Sequence, residues 1–340
     1  MPSSTAPILD NMGNSVQLMK IALLIKANAM SKTVFLAGAT GNLGFRILKN
    51  LRAQGAKVNC LIRPGASEAV RARLRDFATE VREADISDDK SLAKACEGAD
   101  VVVSAVAGLR PVMIDFQTRL VDAAVAAGVP RFIPSDFSID FGKLPAGDNR
   151  NLSIRQEFRT FLDNHSKISA TSVLNGAFMD MLTGTAPFIL FPLKRILCWG
   201  DPNQLMDFTT IDNTAAFTAF AALDNDAPRY LRIAGEELSA NKLAAIMTEL
   251  SGKRYGILKP GGPKTLKAII TVLKTISPSN DVLYPAWQGM QYMQNMYDGK
   301  CKFESLDNSR YPVTFTNTKT LLAEFLQSQS AGGNHTSALS

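Results

Sequence analysis

Short apolar runs alternate with amphipathic stretches along the first half of the chain. Residues 33–37 (TVFLA), Lys57–Arg63 (KVNCLIR), Glu80–Ala84, Asp100–Ala107 (DVVVSAVA) and Val129–Pro134 are short and mostly apolar, several rich in β-branched residues. Such runs fit strands buried on both faces of a parallel sheet. Helical spacing fills the gaps. It spans about Leu43–Gln54, closed by Gly55, and Ser67 to about Ala78, after a Pro64-Gly65 turn. It returns over Ser87–Glu97, with Asp88 and Asp89 in the first turn, and over Val112–Ala127, which puts Phe116, Leu120, Val121 and Ala124 on one face. Strand and helix alternate with short connections, so the pattern predicts an α/β chain with a Rossmann-type doubly wound parallel sheet.

The alternation breaks at Ser138. FGKLPAGDNR reads as a loop, followed by a helix at about Leu152–Asn164 and a strand at Ala170–Leu174. Beyond Met179 the crossovers become irregular. Arg195–Gly200 and Met206–Ile211 read as short strands around an Asp-Pro-Asn turn, and Asp212–Leu223 as an alanine-rich helix. Tyr230–Ile233 reads as a strand, and Asn241–Ser251 as a helix between a Ser239 cap and Gly252. Pro260–Lys300 is helical in pattern and Thr316–Phe325 forms a terminal helix. The pattern divides the chain into a sheet domain over 32–178, joined by later returning segments, and a smaller α/β domain over 179–326. A polar tail, 327–340, is expected to be disordered.

Composition narrows the function classes. The 340 residues are 46% hydrophobic and 20% charged, enough apolar material for a large core. The net charge of +6 is spread without blocks, which favours anionic ligands and argues against nucleic acid. Cys60, Cys96, Cys198 and Cys301 show no metal-ligand spacing, so a reduced, cytoplasmic setting is expected. With only His165 and His335, a histidine triad or a multi-histidine metal centre is ruled out as a reading. The apolar run IALLI, between Lys20 and Lys26, is too short for a membrane span. Ala27-Asn28-Ala29 has the look of a signal-peptide cleavage site, but the first strand begins almost at once. Residues 1–31 are therefore read as a poorly ordered leader, with Met30 a natural start.

The chemistry centres on TVFLAGATGNLG, residues 33–44. Gly38 allows a sharp turn, Gly41 allows a pyrophosphate to approach the main chain, and Gly44 allows the helix to lie on the strand. Ala39, Thr40, Asn42 and Leu43 complete the turn, whose helix start offers N–H groups to phosphates. A strand–turn–helix without ligand is the alternative. Arg63, at the end of the second strand, strengthens the ligand reading: a cation there pairs with a 2′-phosphate, so NADP(H) is preferred over NAD(H). Its alternative is a solvated surface arginine. Asp85 and Ile86 fit the adenine amino group and ring, or Asp85 is a helix cap. Ser104 and Ala105 end the fourth strand, where the cofactor backbone passes. Ser135, Asp136 and Phe137 follow the fifth strand, and Asn175, Gly176 and Phe178 the sixth, at the edge where such sheets hold ligands. Phe178 fits core packing equally well.

GATGNLG, the Arg63 strand end, RFIPSDF, LNGAF, TTIDNTAAF and LRIAGEELSANKLAAIMTELSGK together resemble the NmrA-like and isoflavone-reductase-like group of atypical short-chain dehydrogenases, over about Lys32–Phe325. The resemblance implies NADP(H) and substrate held between a Rossmann domain and a smaller carboxyl-terminal domain. It covers both reductases of phenolic ring systems and proteins that only sense the dinucleotide. Catalytic members carry a lysine after the PS(E/D)F loop, and here Arg155 stands at or next to that place, with Lys143 in the preceding loop. The Tyr-x-x-x-Lys pair of the main short-chain dehydrogenases is absent, because the first tyrosine is Tyr230. Trp287, Met290, Tyr292, Met293, Met296 and Tyr297 form either an apolar substrate wall or ordinary helix packing. Two functions follow. One is an NADP(H)-dependent reductase of a small apolar carbonyl or unsaturated compound. The other is a non-catalytic dinucleotide sensor with a regulatory protein partner. Neither nucleic acid, membrane nor metal is expected.

Overall fold

The computed structural model describes residues 32–331; the leader and the end of the tail lie outside them. Strand β1 (Thr33–Ala37) runs into helix α1 (Asn42–Ala53), then β2 (Lys57–Ile62), α2 (Glu68–Arg75), β3 (Glu80–Glu83), α3 (Asp89–Cys96) and β4 (Val101–Ser104). A π-helical turn (Pro111–Phe116) leads into α4 (Gln117–Ala126), so the helix expected from Val112 opens with a wider turn. Next come β5 (Arg131–Ile133), α5 (Arg150–Asp163), β6 (Ser169–Ala170) and β7 (Ser172–Leu174).

The main sheet has the order β3-β2-β1-β4-β5-β6, all parallel. This is the strand order of a dinucleotide-binding α/β sheet. Strand β1 shows why it is buried on both sides. Val34 and Leu36 belong to one apolar cluster, with Ile47 and Leu48 of α1, while Phe35 and Ala37 belong to another, with Leu120 and Val121 of α4. Alternate residues of a strand point to opposite faces, so four consecutive apolar residues, Val34–Ala37, serve two cores.

The second half returns to the sheet before leaving it. Chain order continues with β8 (Ala177–Phe178), β9 (Ile189–Leu190), β10 (Arg195–Trp199), β11 (Met206–Thr209), α6 (Ile211–Leu223), β12 (Tyr230–Arg232), β13 (Glu236–Leu238), α7 (Ala240–Ser251), β14 (Gly256–Gly261), α8 (Pro263–Ile276), α9 (Ala286–Tyr297) and α10 (Thr318–Ala331). Strand β12 pairs in parallel with β7, and α6 packs on α1, where Arg46 meets Asp212 at 2.6 Å. Two small sheets, β14-β10-β9 and β13-β11-β8, enclose a separate apolar cluster with Trp199, Phe208 and Trp287.

The short strands expected around the Asp-Pro-Asn turn form, at Arg195–Trp199 and Met206–Thr209. Each takes its partners from elsewhere in the chain and sits in a different sheet. One expectation needs correction: the terminal helix runs on to Ala331, so residues 327–331 are helical rather than disordered. Glu236 accepts the Thr318 N–H at its start (2.7 Å), and Leu322 is fully buried in the second cluster, which anchors the helix.

Candidate active site

The glycine turn is built by backbone crowding. Gly38 has φ +85°, and a Cβ there would lie 2.5 Å from the Ala105 carbonyl oxygen. A Cβ on Gly44 would fall 2.1 Å from the Gly38 oxygen, so only glycine lets α1 sit against the end of β1. Gly41 donates its N–H to Gly38 O at 3.0 Å, and a Cβ on it would meet only that oxygen, at 3.4 Å. Its outer side is open. No side chain caps the helix start, and Thr40, Gly41 and Asn42 are exposed. The turn therefore offers uncovered N–H groups and the positive end of a twelve-residue helix. Ala39, between Gly38 and Thr40, is fully buried.

Arg63 stands one residue beyond β2, exposed, with no ion-pair or hydrogen-bond partner for its guanidinium among the described residues. Asp85 follows β3, and its Oδ1 accepts from the Ser87 N–H (2.8 Å) and hydroxyl (2.7 Å). Those bonds hold the carboxyl below its usual range. The cap of α3 is Asp88, so Asp85 closes a local turn with one oxygen and leaves the other open. Ile86 is half-buried against the sheet core. Ser104 is fully buried at the end of β4 with no partner for its hydroxyl, and Ala105 lies directly against Gly38.

The other half of the edge is less open than chain order suggests. Ser135 takes three contacts: its N–H donates to Gln117 (3.0 Å), its hydroxyl to Val106 O (2.6 Å), and its carbonyl accepts from Arg155 Nε (3.3 Å). Asp136 and Phe137 turn inward, which corrects their placing among cofactor ligands. Phe137 joins the core. Asp136 is fully buried, accepting from the Ser172 hydroxyl (2.6 Å), which in turn accepts from Arg229 (2.7 Å). Burial pushes the Asp136 carboxyl up, opposed by that hydrogen bond and by Arg155, Arg229 and Arg159. Asn175 is fully buried with neither amide atom partnered, and Gly176, at φ +67°, packs against the Asp207 backbone. Phe178 packs against the α1-side core, which is the simpler of its two readings.

Arg155 is brought to the edge. Besides Ser135, it donates to the Asn151 carbonyl at 3.2 Å. Lys143 is not: its ammonium is held at 2.9 Å by both Glu304 and the Lys302 carbonyl, which corrects its reading as a catalytic group. The aromatic wall divides as well. Trp287, Met293, Met296 and Tyr297 are core residues, leaving Met290 and Tyr292 partly open. Tyr292 gains a polar role that its apolar neighbours hid. Its phenol stands near Asn151 and in the field of Arg155, and burial pushes it up to about 12, so it stays protonated at neutral pH. Arg150 fastens the segment before α9, donating to Val282 O (2.9 Å) and Leu283 O (2.8 Å). Nothing in the spacing of residues 150–155 and 292 marks them as neighbours.

The profile of the NmrA-like family matches residues 30–325. The chain belongs to that family. Pinoresinol reductase 1 of Arabidopsis thaliana is 31% identical over 244 residues, 65% of this chain and 74% of its own length. The isoflavone reductase homolog IRL of Zea mays is 28% identical over 240 residues, 65% and 75% of the two chains. The structure of AtPrR2 with NADP+ and (+)pinoresinol matches with a TM-score of 0.73 at 25% identity, over 87% of this chain and 99% of the other. Leucoanthocyanidin reductase with NADPH, from Vitis vinifera, shares the fold with a TM-score of 0.71 at 20% identity. In this NmrA-like chain the residues present fit a dinucleotide: a glycine turn open on its outer side, an uncapped helix start and an unpartnered Arg63.

Proposed function

We propose that this chain is an NADPH-dependent reductase of a small apolar carbonyl or unsaturated compound, working in a reducing, cytoplasmic setting. The observation that carries the reading is the glycine turn, closed to any side chain at Gly38 and Gly44 but open at Gly41, with Arg63 free at the neighbouring strand end. The turn would hold the pyrophosphate and Arg63 the 2′-phosphate. Asp85 and Ile86 stand where the adenine would lie, with Ser104, Ala105, Ser135, Asn175 and Gly176 towards the nicotinamide. Bound NADPH supplies a hydride.

The chain's own contribution is charge and position. Arg155, fixed to Ser135 and Asn151, places a permanent cation where negative charge develops on a substrate oxygen. A guanidinium keeps its proton at neutral pH, so Arg155 stabilises charge without shuttling protons. Tyr292, held protonated beside it, donates a hydrogen bond to the same oxygen. The final proton comes from water. Four free, buried cysteines support the reducing setting, and no helix among the described residues is long and apolar enough to cross a membrane.

One observation favours the second reading, a dinucleotide sensor with a protein partner: an arginine, already committed to two backbone carbonyls, stands in the lysine's place. NADPH oxidation with a panel of ketones, quinones, enones and pinoresinol separates the two. The reductase reading expects oxidation that depends on one acceptor class. Tight NADPH binding without turnover on any acceptor would replace it with the sensor.

A further inference from the structure

A pocket of about 200 Å³ lies under the loop that follows β5, between α5 and the strand β12. At about 30 Å³ per water it has room for roughly six waters, or one small ion. None of the residues assigned above to the dinucleotide lines it. Three cations converge there from three separate elements: Arg159 from α5, Arg232 from β12 and Lys143 from the turn after β5.

Their partners do not balance them. Lys143 is paired at 2.9 Å with Glu304, whose side chain is 89% exposed at the rim. Arg232 gives its Nε to the buried Asp140 at 3.2 Å, leaving its two terminal nitrogens without a partner. Arg159 has no hydrogen bond or ion pair among the described residues. Its guanidinium is placed by packing alone, 5.9 Å from the centre of the Phe141 ring and against the Gly142 backbone. Arg232 lies in the same way 5.6 Å from the centre of the Tyr230 ring. Two partly buried guanidinium groups, set against aromatic rings and left with free N–H forks, line the pocket together with Lys143, against one lining carboxylate, Asp140.

We infer that this pocket is an anion site, separate from the cofactor, that takes an oxyanion of the phosphate type. Its N–H forks suit a group with several oxygens, which two arginines can share. Asp140 also lines the pocket, accepting from Arg232 Nε (3.2 Å) and the Gly142 N–H (3.2 Å), and it offsets one of the three cations. The exposed Glu304 competes for Lys143 and sets an upper limit on affinity.

The inference does not rest on the reductase reading. The test is calorimetric titration of inorganic phosphate into protein saturated with NADP+, with chloride at matched ionic strength as the control. Saturable phosphate binding is expected to persist with the cofactor in place. Arg159→Gln breaks no intramolecular hydrogen bond, so the variant should fold, and it should weaken phosphate by about tenfold or more. Glu304→Gln, at an exposed rim position, should strengthen it severalfold by freeing Lys143. If NADP+ fails to bind, the same titration on Arg63→Asp protein separates the sites, since only phosphate held by Arg63 is lost there. Absence of saturable binding beyond the chloride control, or binding indifferent to Arg159→Gln and Glu304→Gln, would overturn the inference.

Discussion

The carboxyl edge of the sheet has two halves built in different ways. At β1 and β2 the ligand surface is backbone: Gly38 and Gly44 exclude side chains by distances of 2.5 and 2.1 Å, and a single exposed cation, Arg63, completes it. At β5 and β7 the surface is side chains, and most of them are engaged with one another. Asp136 turns to Ser172, Ser135 is held by Gln117 and Arg155, and Phe137 joins the core. A backbone-built site tolerates changes around it but not in it. A side-chain-built site can be retuned residue by residue, and so one family can keep a cofactor while varying its chemistry.

This contrast can be broken deliberately. Gly44→Ala should have the largest effect, because its methyl meets the fixed Gly38 carbonyl. Overpacking of that kind costs about 1–3 kcal/mol, visible in urea unfolding. Displacing the turn should weaken NADPH on the order of 100-fold in the same protein. An unchanged affinity would mean the turn does not carry the pyrophosphate. Arg63→Asp comes next: losing a charge-assisted contact should cost NADPH about 10–100-fold while NADH changes by no more than about threefold. Equal losses would remove the 2′-phosphate assignment.

The β5–β7 half should respond in rate more than in affinity. Arg155→Ala should lower turnover by about 10–100-fold and leave the NADPH dissociation constant within about threefold. Tyr292→Phe should have the smallest effect, several-fold in rate. Because burial raises the phenol to about 12, folding favours its protonated form. The stability this gives is present below about pH 10 and lost as pH rises towards 12. The variant's unfolding curve should therefore be flatter in that window, and an unchanged slope would place the phenol in water.

How far the sequence could be read follows from the same contrast. Five strands and four helices of the first half, the Ser239-capped helix of the second and the glycine turn were legible because their constraints are local: apolar runs, caps at Ser67 and Ser239, and glycines in a short window. Asp136 was misplaced because a residue's direction after a strand end depends on what waits inside, here Ser172 and Arg229 from distant segments. Lys143 was misplaced for the same reason, through Glu304. Arg195–Trp199 and Met206–Thr209 were legible as strands but not in their pairing. Their partners, Gly256–Gly261 and Glu236–Leu238, lie far along the chain, and no local pattern announces them. Tyr292 read as wall because its apolar neighbours on α9 set the pattern, while its polar surroundings, Asn151 and Arg155, come from α5.

The central claim is that this site moves a hydride from NADPH to an apolar acceptor. The direct test is a single-turnover reaction with NADPH carrying deuterium on the transferring face of the nicotinamide, followed by mass spectrometry of the acceptor. The account predicts a reduced product carrying one deuterium, formed by the wild-type chain and strongly slowed by Arg155→Ala. Tight NADPH binding with no deuterium found in any acceptor, from either face of the nicotinamide, would contradict it.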